Sequence, residues 1–316
     1  MDSPAECSQK DLNHSRWALA AALFTMFVWG VNFAVVKYVL DALGVGPFLF
    51  VRFVIMPVLV LVLLLAVFRH RIAATLPKRE DWPRFIACAL IGHTLHIGIV
   101  FWGMHLSTAF SSAVVLTSQP LFTLLILLVL GVERLRPSQV AGTLVAFAGI
   151  AVFLSDKFAR GVVHAGLGDL MLLVAAACFA LFTVLARPLV ARYGPLIVLA
   201  YTLFLGAPPL IVLSAPSFFA AELDRLTPLV WFGLLWSIAL SSVLGWLVWA
   251  WVNHVRGIAR SAPLLYLPPP IAGVVAWLTL GEQFTVLKIA GAVIAMAGVA
   301  WAQLGSAKIP ATTTGG

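Results

Sequence analysis

Apolar residues in this chain come in long unbroken runs separated by short polar or charged intervals. Ten runs stand out, at about 17–38, 48–68, 84–105, 109–131, 138–154, 167–190, 195–214, 229–251, 258–280 and 286–304. Crossing the hydrocarbon of a bilayer takes about 20 apolar residues in a helix, and most of these runs meet that length. None alternates with a period of two, so a transmembrane β-barrel is excluded. The fifth and seventh runs are the weakest, being short or rich in proline. The pattern predicts an all-α membrane protein with ten transmembrane helices. Residues 1–16 and 305–316 read as polar tails. No cleavage site follows the first run, which is therefore read as an anchor and not as a removed signal segment.

The runs are written twice. Residues 112–151 lie on residues 261–300 without a gap, 149 positions on: Ser112 meets Ser261, Pro120 meets Pro269, Glu133 meets Glu282, Gly142 meets Gly291 and Gly149 meets Gly298. Lys37 meets Arg187 at nearly the same offset. Internal repeats in a polytopic chain are a mark of secondary transporters. Ten runs divide into five and five, 17–154 and 167–304, joined by an expected periplasmic loop at 155–166. An odd-numbered repeat enters the membrane from opposite sides in its two copies, so the halves are expected to be inverted.

Composition and charge narrow the picture. The chain is 62% hydrophobic and 10% charged, with mean hydropathy +1.05, which no soluble domain of this length could cover. Lysine and arginine fall 14 on one side and 6 on the other when the intervals alternate. The positive-inside rule then places both termini in the cytoplasm. The net charge of +8 is thus a topology signal. No polar domain carries it, and a nucleic-acid partner is not expected. Cys7 lies in the tail and Cys88 and Cys178 in spans, which gives neither a disulfide framework nor a metal spacing.

Several segments carry a resemblance. The first span reads VWGVNFAVVK and the second contains VRF at Arg52. The stretch from Ala109 through Leu154 and its counterpart from Gly257 through Ala300 each end a span near a Gly-Glu-like pair, at Glu133 and Glu282. In order and in doubling, the chain resembles the drug/metabolite transporter superfamily in its ten-helix EamA-type branch, from about residue 17 to 304. The resemblance is closest to bacterial exporters of amino acids and related metabolites. It implies a multi-pass protein of the bacterial inner membrane, a small-molecule substrate, lipid as the surrounding solvent, and facilitated or proton-coupled export. It leaves the choice between a monomer and a homodimer open. Three consecutive prolines in the second half depart from the family's usual one.

The candidate transport residues follow from depth. Pro120 lies near the middle of the fourth run, and Pro268, Pro269 and Pro270 near the middle of the ninth. Proline removes a backbone donor, and a helix so broken should face protein or a wet cavity. Packing kinks are the plainer alternative. Gly142, Ala146 and Gly149 share one helix face, as do Gly291, Ala295 and Gly298; these suit a close scaffold contact or a dimer contact. His93 and His96 are one turn apart near mid-membrane, where no carboxylate lies. They are either proton carriers or hydrogen-bonded links between helices. A His-x-x-His pair without a third ligand is a poor metal site, and no metal is expected. Arg52 sits inside the outer end of its span, placed either to bind a carboxylate, to snorkel outward or to hold carbonyls. Trp29, Asn32, Gln119, Trp246 and Tyr266 add aromatic faces and hydrogen-bonding groups suited to an amphipathic metabolite or an organic cation. Trp17, Trp231, Trp251 and Trp301 fit an interfacial belt.

Three function classes compete. A metabolite exporter working by alternating access, with a multidrug exporter as its near rival, accounts for the doubled spans. A membrane enzyme acting on lipid-linked substrates would need a nucleophile, a metal set or paired carboxylates. A receptor gives no reason for matched proline breaks. The chain has no G-x-x-x-x-G-K-S/T loop, so ATP hydrolysis is not expected; no cofactor is expected either. The charge distribution generates a direct test of orientation. A periplasm-active reporter is expected to be silent when fused after Gln303 and active when inserted within 155–166; the reverse pattern overturns the topology.

Overall fold

The computed structural model describes residues 4–69, 71–131, 136–161, 163–256 and 261–306. Glu133 and most of the tail after Gly305 lie outside these residues. Every extended element among those described is helical. Eight stretches are long and apolar enough to cross a membrane, and two shorter apolar helices, Leu264–Leu280 and Val286–Ala302, follow. In chain order the α-helices are α1 (Pro4–Leu43), α2 (Val45–Phe68), α3 (Trp82–Ala89), α4 (His96–Leu106), α5 (Ala109–Leu116), α6 (Gln119–Val129), α7 (Pro137–Ala159), α8 (Val163–Tyr193), α9 (Pro195–Phe219), α10 (Pro228–Leu235), α11 (Gly245–Arg256), α12 (Pro268–Leu280) and α13 (Val286–Ser306).

Helix extends into two of the polar intervals. The tail expected over 1–16 is largely a continuation of α1, which starts at Pro4. Nothing between Pro4 and Arg16 breaks a helix, and Glu6, Gln9 and Lys10 are good helix formers. The loop expected over 155–166 is also mostly helix, since α7 runs to Ala159 and α8 starts at Val163. Asp156 and Lys157, which read as loop residues for their charge, are buried against other helices instead.

Where α1 turns into α2 and α8 into α9, the chain uses the same device. Gly44 and Gly194 precede α2 and α9 with φ of 82° and 80°. Only glycine adopts that conformation without steric cost. The two turns are 150 residues apart, so the repeat extends into backbone conformation.

Helix packing follows the same doubling. The most extensive contact joins α7 to α13, and the next joins α2 to α9. Beyond these, α1 packs on α11 and α12, while α8 packs on α4 and α6. The first helix of each repeat therefore lies against the third and fourth helices of the other. The small-residue faces meet within one chain. A Cβ added to Gly142 would lie 2.8 Å from Ala302 Cα, one on Gly149 2.7 Å from Ala295 Cα, and one on Gly298 2.6 Å from Ala146 Cα. Backbones approach there as small residues allow. Outward faces are apolar, with Val129, Leu213, Phe219 and Val286 well exposed, and Trp17, Trp231, Trp251 and Trp301 exposed near helix ends.

The α7–α13 contact makes a stability prediction. Gly298→Val forces side-chain carbon into the backbone of α7, and overpacking of this kind costs about 1–3 kcal/mol. The unfolding midpoint of the purified protein in detergent should fall. Gly98→Ala is the control, because its Cβ would meet only Leu210 Cδ2 at 3.5 Å and should leave the midpoint unchanged.

Candidate functional site

The helix breaks lie at matched positions. α5 ends at Leu116, Thr117 and Ser118 form a turn, and α6 opens at Gln119. In the second repeat a 3-10 turn, Ala262–Tyr266, gives way at Leu267 to α12. Ser118 and Leu267 are again 149 residues apart. The prolines lie mid-span, as expected, but at the starts of the helices that follow the breaks. Pro120 is the second residue of α6, and Pro268, Pro269 and Pro270 are the first three of α12. The first N–H groups of a helix have no intrahelical partner, so three donors are lost there without breaking a bond. The first N–H of α12 to find a helical acceptor is that of Ile271, which donates to Leu267 O at 3.3 Å. In the first repeat the hydroxyls of Thr117 and Ser118 donate to Val114 O and Val115 O, both at 2.6 Å, and satisfy carbonyls at the break.

A second irregularity is also doubled. A π-helical segment, Leu90–Leu95, joins α3 to α4, and another, Trp236–Leu244, joins α10 to α11. They end at equivalent positions, Leu95 and Leu244. Such wide turns widen the helix and leave backbone groups to side chains. Trp29 uses one of them, its indole donating to Ser241 O at 2.9 Å. Side chains from the second and seventh spans dock on the two segments in a related way. Arg52 of α2 donates to Ser242 Oγ at 2.8 Å and to Ser237 Oγ at 3.3 Å. Thr202 of α9 lies 3.1 Å from His93 Nε2. Arg52 and Thr202 are 150 apart, and His93 and Ser242 are 149 apart, so the two contacts are repeat equivalents. One carries a permanent charge and the other does not.

Both histidines have assignable hydrogen bonds. The Thr202 hydroxyl donates to Val198 O at 2.7 Å, so it accepts from His93 Nε2–H. His96 Nδ1 lies 2.8 Å from Ala175 O, and a carbonyl only accepts, so Nδ1 carries the hydrogen. Phe182 and Phe179 of α8 flank the two rings, with centroids 5.9 and 5.1 Å away. His96 is 5% exposed and His93 is half-buried.

The remaining predicted residues divide. Trp29 packs on Trp246 and Trp249, with centroids 6.1 and 5.9 Å away, while Trp246 is 52% exposed and forms the rim of this cluster. Asn32, one turn beyond Trp29, has a buried Oδ1 without a partner. Tyr266 packs in a separate cluster with Leu121, Ala146, Val299 and Ala302, its hydroxyl buried and unpartnered. Gln119 is half-buried at the start of α6.

Sequence reasoning missed a buried charged network. Asp169, fully buried, pairs with Lys157 Nζ at 2.8 Å and accepts a hydrogen bond from Ser107. Lys157 also donates to Ser107 Oγ at 3.0 Å. Close by, Glu282 accepts from Ala109 N at 2.6 Å, and Thr285 donates to Asp156 at 2.7 Å. Lys288 lies 5.4–5.8 Å from the ring centres of Phe110, Phe153 and Phe284. The network ties the α4–α5 corner to the ends of α7, α8 and α13. Residues 157 and 169 are on different helices, so no helical spacing in the sequence signals the pair. At the opposite ends of α3 and α8, Arg192 holds Glu80 at 2.8 Å and Asp81 at 2.7 Å in an exposed cluster.

Comparison with known proteins agrees with this doubled architecture. The profile of the EamA-like transporter family matches twice, at residues 16–155 and 166–303. A protein of Streptantibioticus cattleyicolor, described as a probable terminal-alkyne amino-acid exporter, is 28% identical over 292 residues, covering 91% of this chain and 93% of its own. The uncharacterized transporter YyaM of Bacillus subtilis is 25% identical, covering 96% and 98%. A crystal structure 22% identical in sequence shares the fold with a TM-score of 0.57, covering 91% of this chain and 96% of that one.

The proline breaks generate a prediction. Alanine at 268, 269 and 270 restores three N–H donors facing the carbonyls of Leu264, Leu265 and Tyr266, which lets helix continue through Leu267. Solute exchange in proteoliposomes is expected to slow at unchanged membrane abundance. Wild-type exchange in that variant would take the break out of the transport cycle.

Proposed function

The chain belongs to the EamA-like transporter family, and from that membership we propose that it exports small amphipathic metabolites, foremost amino acids or their derivatives, across the bacterial cytoplasmic membrane by alternating access. In this reading ten crossings form two inverted five-helix halves with both termini cytoplasmic. The observation that carries it is the repetition of irregular backbone. Each half has a π segment in its third span and a break in its fourth, at matched positions. Irregular backbone at membrane depth is tolerated where it lines a protein-enclosed or wet path, and paired sites of this kind mark transporter binding regions. Equivalent halves that exchange conformations convert an inward-open path into an outward-open one. The buried Lys157–Asp169 network, opposite the exposed Arg192 cluster, supports closure at one end of that path. Amino acids as cargo draw support from the described activity of the Streptantibioticus relative. The cluster of Trp29, Trp246 and Trp249 favours organic cations as a second reading, since aromatic faces attract them.

If export is coupled to protons, we propose His93 and His96 as the carriers. With Nδ1–H committed to Ala175 O, His96 gains and loses its proton at Nε2. Counterflow in proteoliposomes tests both parts. Labelled amino acids should accumulate against an unlabelled internal pool; flux of a cationic dye alone supports the second reading, and no flux of either overturns both. In the double variant His93→Gln, His96→Gln, uptake driven by a pH gradient should fall to its equal-pH level while exchange at equal pH survives. Gradient-driven uptake at the wild-type rate would leave the histidines as links between helices.

A further inference from the structure

Arg52 is a buried cation with no anion beside it among the described residues. It lies seven residues into α2, about 10 Å from the start of the helix at 1.5 Å per residue. It does not snorkel, being 8% exposed. Its guanidinium turns to the π segment of the eighth span and stands 5.2 Å from the centre of the Phe101 ring. Among the described residues no carboxylate lies within ion-pair distance, and Nε is buried with no partner at all. Two neutral hydroxyls, one at 3.3 Å, replace little of the lost hydration of a charged group. Lys157, equally buried, has Asp169 against it. Lys288, also buried, faces three aromatic rings close to the same carboxylates, so of these three interior cations Arg52 alone has no acidic neighbourhood among the described residues.

The surroundings suit a carboxylate. The guanidinium fork matches two carboxylate oxygens, whereas its present partners take single hydrogen bonds. The Ser242 hydroxyl now donates to Ser237 O at 2.8 Å, across the wide turn, and accepts from Arg52. A rotated hydroxyl can donate to an anion instead. The same π segment is reached by Trp29 at Ser241 O, and one turn beyond Trp29 the unpartnered Oδ1 of Asn32 is an acceptor suited to an ammonium group. The repeat equivalent of Arg52 is the neutral Thr202, so at this position one half offers an anion site and the other does not, which would orient a zwitterion.

We propose that Arg52, with the hydroxyls of Ser237 and Ser242, is the subsite that receives the carboxylate of the exported solute. The proposal rests on the amino-acid reading above.

Binding to the purified full-length protein tests it, with L-leucine and L-propargylglycine measured against their carboxamides and against chloride and inorganic phosphate. In the wild type the acids should bind at least about tenfold more tightly than the amides, the worth of a hydrogen bond to a charged group. Phosphate and chloride should not compete. Arg52→Gln should abolish that discrimination by weakening the acids alone, and Arg52→Lys, which keeps charge and loses the fork, should restore it only in part. Equal affinity of acid and amide in the wild type overturns the proposal, and so does a folded Arg52→Gln protein that still discriminates. Should Arg52→Gln fail to fold, Ser242→Ala keeps the guanidinium, and an unchanged acid-to-amide ratio there counts against the subsite. Amino-acid flux that is indifferent to Arg52 sinks the subsite and leaves the exporter reading standing; cation flux with no amino-acid binding sinks both.

Discussion

In a bilayer every backbone N–H and C=O must find its partner inside the protein, and this chain is organised around that requirement. Regular helix meets it over most of each span. Where helix stops, the protein brings specific groups to the gap. Thr117 and Ser118 hydroxyls fold onto carbonyls at one break, prolines remove surplus donors at the other, and the Trp29 indole takes a carbonyl of a π segment. Both breaks and one of the two π segments are thus compensated by named groups, and each kind of irregularity occurs twice.

The doubling shapes packing as well as backbone. Because the first helix of each repeat lies on the third and fourth of the other, neither half is a separate body. The α7–α13 contact, made backbone to backbone through glycine and alanine, is the firm seam beside them. Close small-residue packing of this kind suits a rigid contact between helices.

Against this near-symmetric frame the polar groups are asymmetric. Arg52 has Thr202 as its equivalent, and His93 has Ser242. The backbone is equivalent at these positions, while the side chains it carries are not. The exposed Arg192 cluster and the buried Lys157–Asp169 pair extend that inequality to the ends of the helices.

Membrane residence, helical class, the repeat and the place of the breaks were all legible in the sequence. Hydropathy is summed over neighbours in the chain and is read against a fixed solvent, so it needs no knowledge of packing. The offset of 149 residues likewise needs only the chain itself. Side-chain direction is different. Arg52 could equally have snorkelled, and only the position of the eighth span turns it inward onto Ser237 and Ser242. Gly142 and Gly298 suited a dimer as well as an internal seam until α7 and α13 were seen face to face. Lys157 and Asp156 read as loop residues because charge argues for water, yet tertiary contacts supply Asp169 and Thr285 as partners and keep them in helix. The π segments left no periodic signal, since one wide turn shifts a hydrophobic stripe less than the apolar surround conceals. The sequence by itself determined which segments enter the membrane and which are equivalent. Only the tertiary structure decided which polar groups face one another there, because pairing between helices depends on their relative rotation, and that is set by packing across the whole bundle.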